Sequence, residues 1–229
     1  MSGIDAQVLT LDGPSGTGKG TVGQIIARRL GWNYLDSGAI YRVFALMADD
    51  LGIKPEDSES LARLGRDLKI EFSQSETGET VHCNGRDLSN LIRNESTGEI
   101  ASRYAALPVV RESVLELQRA QARLPGLVAD GRDMGSTVFP QASYKFWLDA
   151  SAEVRLQRRY KQLKEKGFGV SLAALRKEME VRDARDASRQ SSPMVAAEDA
   201  IVVDTSELDI DAVVETILAH VGQVNPASL

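Results

Sequence analysis

Gly13-Pro14-Ser15-Gly16-Thr17-Gly18-Lys19-Gly20-Thr21 combines glycines, hydroxyls and one lysine at a spacing suited to a polyphosphate. Glycines let successive backbone N–H groups turn inward around an anion. A following helix adds the positive end of its dipole, and a lysine reaches the phosphates as a point charge. The flanks agree with this chemistry. Val8-Leu9-Thr10-Leu11 reads as a buried strand, and Val22, Ile25, Ile26 and Leu30 share one face of a helix. An ordinary Gly-rich turn would need neither the lysine nor these neighbours, so the run implies a nucleoside polyphosphate ligand.

One position departs from the strict GxxxxGK[ST] pattern. Gly20 follows Lys19, and the hydroxyl comes one place later at Thr21. In the strict pattern that hydroxyl ligates Mg²⁺. Here the expectation is Mg²⁺ held through phosphates and water, with no direct ligand assigned in the chain.

More chemistry follows the other apolar runs. Asn33-Tyr34-Leu35-Asp36 leads into Ser37-Gly38-Ala39-Ile40-Tyr41-Arg42, and Leu127-Val128-Ala129 leads into Asp130-Gly131-Arg132-Asp133. Asp130 ends its run as a Walker-B carboxylate does. After Tyr144–Leu148 comes a helical stretch, residues 151–190, with eleven Lys and Arg against six Asp and Glu. A solvated helix face would explain that excess by itself; beside a phosphate loop it marks where anions are handled. Within it Arg182, Asp186 and Arg189 fall at i, i+4 and i+7, the spacing of one helix face. His82 and His220 lack the spacing of a metal site or a triad and receive no role.

These residues need a parallel sheet to bring them to one rim. Strands are expected at the runs named above and at Ala200–Val203, separated by helices, with a closing helix through Ile210, Val213, Val214, Ile217 and Val221. Alternating strands and helices imply an α/β fold with helices on both faces, binding ligands beyond the strand ends. Ser37 is expected to cap the second helix and Pro108 to start a later one. Residues 69–88 differ in texture. They alternate polar and apolar, with turn signals at Glu76-Thr77-Gly78 and Asn84-Gly85, which reads as a small antiparallel meander. Residues 63–103 are therefore expected to form an inserted subdomain within a single domain whose core is 1–62 and 104–229. The tail from Gln223 is expected to fray.

Composition narrows the class. The chain has 229 residues, 42% hydrophobic and 26% charged, with a net charge of −6. That suits a globular α/β domain and disfavours general nucleic-acid binding. The single cysteine, Cys83, is consistent with a reducing cytoplasm and reads as a small strand residue. No stretch approaches membrane-spanning length. A cytoplasmic protein bound to neither nucleic acid nor membrane, and monomeric, is expected.

No general base stands paired with a hydroxyl nucleophile in these motifs. A phosphate acceptor needs none, because its second pKa is about 6 and it is mostly dianionic at neutral pH. The task becomes one of holding two anions together and stabilising the charge in transfer, which arginines, a lysine and Mg²⁺ perform.

GPSGTGKGT, LDSGAIYR, ADGRDMGSTVFP, the RLQRR run from Arg155 and RDARDASRQSSP from Arg182 occur in that order. Together they resemble bacterial cytidylate kinase over nearly the whole chain. The resemblance implies a P-loop NTPase-type five-stranded parallel sheet with a small nucleotide-binding insertion. It also implies reversible transfer of the ATP γ-phosphate to CMP or dCMP with Mg²⁺. Gly13 through Thr21 would bind ATP. Ser37, Tyr41, Arg42, Arg132 and Arg189 would surround the acceptor phosphate, with Asp130 on the same side. Lys19, Arg42, Arg132 and Arg189 would be catalytic. Asp186, with Arg182, would face the ribose, and Ser102, Arg111 and Asp133 would read the cytosine. Arg155, Arg158 and Arg159 would belong to a lid, about residues 151–175, closing over ATP. The alternatives are a kinase for another monophosphate, such as UMP or AMP, and a P-loop switch or motor ATPase. The latter is disfavoured because the chain has no NKxD run and no Ser/Thr directly after Lys19.

Overall fold

Five apolar runs become the strands β1 (Gln7–Asp12), β2 (Asn33–Asp36), β6 (Gly126–Asp130), β7 (Tyr144–Asp149) and β8 (Ile201–Asp204). They form one wholly parallel sheet in the order β2-β6-β1-β7-β8. A computed structural model describes residues 6–75, 78–165, 167–189 and 191–224. The three middle strands lie between neighbours, and β6 is buried along its whole length, as a short apolar run in a parallel sheet should be. Helices α1 (Lys19–Leu30) and α8 (Ile210–Val224) pack Val22, Ile26, Val214 and Ile217 against Leu9, Leu11, Phe146 and Leu148. α8 continues through Val224, so Gln223 belongs to the helix; residues 225–229 lie outside the described residues.

The chain divides into two compact units, residues 1–36 with 121–229 and residues 37–120. The first holds the parallel sheet. It also holds α6 (Ala152–Glu165) and α7 (Leu172–Ala187), which share a small core of Leu156, Leu163, Leu175 and Met179. The basic stretch is thus two helices rather than one. α7 stops at Ala187, so Arg189 lies beyond the helix whose face it was expected to share.

The second unit contains α2 (Ser37–Asp50), α3 (Ser58–Asp67), α4 (Glu95–Tyr104) and α5 (Pro108–Arg119). With them is an antiparallel sheet of β3 (Ile70–Ser75), β4 (Gly78–Cys83) and β5 (Arg86–Asp87). It is broader than residues 63–103 because α2 packs on α4 and α3 on α5, so the helices flanking the meander belong with it. Pro108 opens α5 as expected, its missing N–H being one the first turn leaves unbonded anyway. Ser37 is already the first residue of α2 rather than its cap. The β4–β5 turn at Asn84-Gly85 has both residues in the left-handed region, φ 50° and 80°, as a two-residue hairpin turn requires. Of the other expected turn, Glu76 and Thr77 lie outside the described residues. Among the described residues no helix is long and apolar enough to cross a membrane.

Candidate active site

All five parallel strands end in aspartate, and their C-terminal ends share one rim: Asp12, Asp36, Asp130, Asp149 and Asp204. β1 is central, flanked by β6 and β7, so the loop that follows it emerges at the topological switch point. The five carboxylates have different tasks. Asp149 accepts from its neighbour Ala150 N at 2.8 Å, and Asp204 caps the turn at Ser206 N at 2.8 Å. Asp12, buried, accepts from the N–H groups of Met134 and Gly135 at 2.8 Å each. That pair anchors the π-helical turn Met134–Val138, which begins directly after Arg132-Asp133. Asp36 and Asp130 are near enough to the phosphate-loop lysine to favour its charged form.

The loop itself is built around an absence of side chains. A Cβ on Gly13, whose φ is 143°, would lie 2.0 Å from the Leu148 carbonyl oxygen, so only glycine lets β1 turn there against β7. α1 starts on Gly18 with no side-chain cap and no acid in its first turn. Its leading N–H groups therefore have no anionic competitor on their own helix, which suits them to phosphate. Thr17 is buried, its hydroxyl 3.3 Å from the Pro14 carbonyl.

Lys19 is buried at 7% exposure, and its Nζ donates to the Pro14 carbonyl at 3.0 Å. Burial, followed by the positive charges of Arg132 and Arg182, lowers its pKa to about 7, against the opposing pull of Asp130 and Asp36. Burial likewise raises Asp130 to about 6, with Asp36 adding to the rise. Lys19, the Tyr34 hydroxyl and Arg132 hold it down. Behind them Arg132 Nε meets Asp186 Oδ2 at 3.2 Å, and Arg189 bonds the other oxygen of the same carboxylate. Arg189 thus reaches Asp186 from beyond the helix end. The Asp186 carboxylate, which the resemblance assigns to a ribose, clamps two arginines in this structure.

The three arginines of the RLQRR run part company. Arg155 sits on the phosphate loop, donating to the Ser15 carbonyl at 3.1 Å and pairing with Asp183 at 2.6 Å. Arg158 turns away, to the Thr205 hydroxyl at 3.0 Å and to the carbonyls of Thr205 and Leu208 at 2.6 and 3.2 Å. The buried Thr205 hydroxyl in turn lies 3.2 Å from the Thr17 carbonyl and 3.0 Å from that of Asp149. Arg158 is therefore part of a strut joining α6, the β8–α8 loop and the phosphate loop. Arg159 bonds Gln162 on its own helix at 2.5 Å.

In the second unit, Arg111 is buried at 6% exposure with its guanidinium 5.4 Å from the centre of the Tyr41 ring, and it donates to the Ala105 carbonyl at 3.2 Å. That stacking desolvates a cation against an aromatic face and fixes its direction. Ser37 and Ser102 are buried. Arg42 lies against α4 at Gly98, where a Cβ would stand 3.9 Å from its Nε. In the first unit Asp133 is buried at 2% exposure, just ahead of the π-helical turn.

Sequence reasoning passed over Asp12, Tyr34 and Thr205. The recurrence of aspartate at strand ends was visible in the sequence; the backbone partners of Asp12 and Thr205 were not.

A parallel α/β sheet whose central strand runs into such a loop is the architecture of the P-loop nucleotide-binding proteins, and that is the class of this chain. The profile of the cytidylate kinase family matches residues 9–223. A cytidylate kinase from Methylococcus capsulatus is 53% identical over 214 residues, covering 93% of this chain and 96% of the relative. One from Aeromonas salmonicida is 50% identical over 218 residues, covering 95% of each. The crystal structure of an uncharacterized protein from Eubacterium ventriosum, 10% identical, covers 95% of this chain and 98% of that one at a TM-score of 0.50, a likeness of fold alone. The chain belongs to the cytidylate kinase family and is a nucleoside monophosphate kinase.

Proposed function

We propose that this enzyme transfers the γ-phosphate of ATP reversibly to CMP or dCMP, giving ADP and CDP or dCDP. The observation that carries the reading is the cation cluster beside the phosphate loop. Lys19 has Arg132 and Arg182 for neighbours, and Arg132 and Arg189 are held side by side by one buried carboxylate. Two anions that repel each other need such an environment, and a dianionic acceptor needs little else to become a nucleophile. The loop amides and the α1 terminus take the donor's phosphates, with Arg155 at the loop's outer side. Lys19 follows the charge in flight, worth several kcal/mol in a water-poor site, on the order of the 3–4 kcal/mol of a single oxyanion donor. Ser37, Tyr41 and Arg42 join Arg132 and Arg189 as acceptor-phosphate ligands on the strength of the resemblance. Ser102, Arg111 and Asp133 are the base readers on the same ground. A carboxylate accepts from cytosine N4, whereas uracil offers O4, a second acceptor, at that place.

Mg²⁺ fits the donor set present. Asp36 and Asp130 are hard oxygen donors, both close enough to Lys19 to favour its charged form, and Asp36 is close enough to Asp130 to raise its pKa. Among the described residues no cluster of three His, Cys, Asp or Glu could hold a metal by itself. Asp130 and Asp36 would therefore hold the ion through its water shell, the phosphates being the inner ligands, and it would supply neutralisation of the phosphoryl oxygens.

The test is monophosphate-dependent formation of ADP, screened across CMP, dCMP, UMP and AMP. CMP and dCMP should be strongly preferred, and Asp133→Ala should erode the CMP/UMP ratio more than it weakens ATP. Nucleotide hydrolysis that needs no added monophosphate would indicate a switch or motor instead, and equal use of UMP would remove the base-reading assignment.

A further inference from the structure

Gly20, the residue that departs from the strict phosphate-loop pattern, does not face empty space. A Cβ built there would lie 3.1 Å from Asp130 Oδ2 and 3.7 Å from the Tyr34 hydroxyl oxygen. Three residues on, a Cβ at Gly23 would lie 2.9 Å from Tyr34 Cε2 and 3.2 Å from Leu11 Cδ1. Positions 20 and 23 share one face of α1, so two glycines in one helix open a slot, and the Tyr34 ring occupies it. Glycine inside a helix costs stability relative to alanine, and two so placed suggest that the slot has a use. From it the Tyr34 hydroxyl donates to Asp130 Oδ2 at 3.0 Å.

We infer that Tyr34 is a positioning residue of the phosphate-transfer site. Its hydroxyl, supplied from β2, takes the place beside the lysine that a Ser or Thr hydroxyl holds in the strict pattern, and it aims the Asp130 carboxylate at the metal–polyphosphate. The inference rests on the Mg²⁺–ATP reading above. It accounts for the glycine after Lys19: a side chain at position 20 would crowd Asp130, and the hydroxyl function is met from a neighbouring strand. Losing an outer partner that orients a metal-holding carboxylate typically costs roughly ten- to a hundredfold in metal affinity or activity.

Four proteins decide it: wild type, Tyr34→Phe, Gly20→Ser and the double variant. Tyr34→Phe should raise the free Mg²⁺ needed for half-maximal rate by about tenfold, with KM for the monophosphate little changed. It should also weaken Mn²⁺ binding in the presence of ATP, read by electron paramagnetic resonance without turnover. Gly20→Ser should lower the melting temperature of the ligand-free protein when the tyrosine is present. It should be better tolerated in the Tyr34→Phe background, where the Asp130 carboxylate, no longer held by the tyrosine hydroxyl, is free to move away from position 20. In that background it should recover Mn²⁺ affinity by supplying the hydroxyl itself. Unchanged metal dependence in Tyr34→Phe would overturn the inference and leave Tyr34 as packing alone. Equal effects of Gly20→Ser on melting in both backgrounds would overturn the shared placement. If wild type prefers another monophosphate, the acceptor assignment fails, yet the Mn²⁺–ATP and melting measurements still decide the role of Tyr34.

Discussion

Arg132 and Asp186, fifty-four residues apart, are joined at 3.2 Å by Nε and Oδ2, and the carboxylate is only 2% exposed. Arg189 occupies its other oxygen. One buried anion thus keeps two guanidinium groups adjacent before any substrate phosphate arrives. Asp186→Asn keeps the shape and removes the counter-charge. Leaving buried charge uncompensated costs about 3–5 kcal/mol, so thermal unfolding should fall by roughly 10 °C for a chain of this size. Added inorganic phosphate should restore part of that loss, and do so more than in wild type. A melting temperature unchanged by the substitution would show that the pair is not coupled to folding.

The same geometry makes Arg132 and Arg189 a unit. Arg132→Ala and Arg189→Ala should each weaken the monophosphate while changing ATP affinity little. Their combination should cost less than the sum, with a coupling of about 1–2 kcal/mol, since both share one carboxylate and are proposed to bind one phosphate. Steady-state kinetics of the four proteins checks this; strict additivity would mean that the two arginines act on different groups.

Lys19→Met should slow transfer roughly a hundred- to thousandfold. It should not destabilise the protein, because an ammonium at 7% exposure, its pKa already drawn down by burial, is replaced by an apolar chain of similar length. Turnover and melting temperature measured on one preparation separate the two effects. A drop in both would mean that Lys19 holds the loop together.

Much of this site could be read from residue types. The phosphate loop, Asp130 and Arg132 were legible because each lies at a fixed offset from an apolar run, and strand ends in a parallel sheet share a rim; the Arg182–Arg189 segment was legible from its charge and spacing. What escaped depended on distant backbone. Asp12 follows an apolar strand as any polar terminus might, and its partners are amides 122 and 123 residues away. Thr205 and Arg158 meet carbonyls that carry no sequence signal. The end of α7 at Ala187 was hidden because charge spacing continues past it. Gly20 was noticed as a departure, but only the position of Tyr34 gives it a physical reason.

Nucleotide binding should take up a proton. In the free protein the Lys19 pKa is lowered to about 7, first by burial and then by Arg132 and Arg182. A bound polyphosphate favours the ammonium, so its pKa must rise on binding. Between about pH 7 and pH 9 the free protein is partly deprotonated there and must gain a proton to bind. ATP affinity should therefore weaken as pH rises through this window. Calorimetric binding heats in buffers of differing ionisation enthalpy should reveal proton uptake that Lys19→Met abolishes. Uptake that persists in the variant would assign the proton to another group.

Asp12 should impose a pH dependence on stability that its asparagine variant lacks. Burial raises its pKa from 3.8 to about 7, helped by the charges of Asp133 and Asp130 and opposed by the N–H groups of Gly135 and Met134. In the unfolded chain the carboxyl ionises near pH 4, while in the folded protein it keeps its proton up to about pH 7. Between those values the folded state binds more protons, so this contribution is complete below pH 4 and is lost as pH rises through 7. At 1.36 kcal/mol per unit the loss is at most about 4 kcal/mol. Asp130, raised to about 6, acts in the same direction in both proteins. In Asp12→Asn the amide cannot titrate, and its NH₂ opposes one of the two backbone donors much as a protonated carboxyl would. Urea unfolding at pH 4, 5.5, 7 and 8 should therefore show the stability difference, wild type minus Asp12→Asn, falling steadily to pH 7 and then levelling. A constant difference across that range would mean that Asp12 is ionised throughout, held by its two amides against the cost of burial.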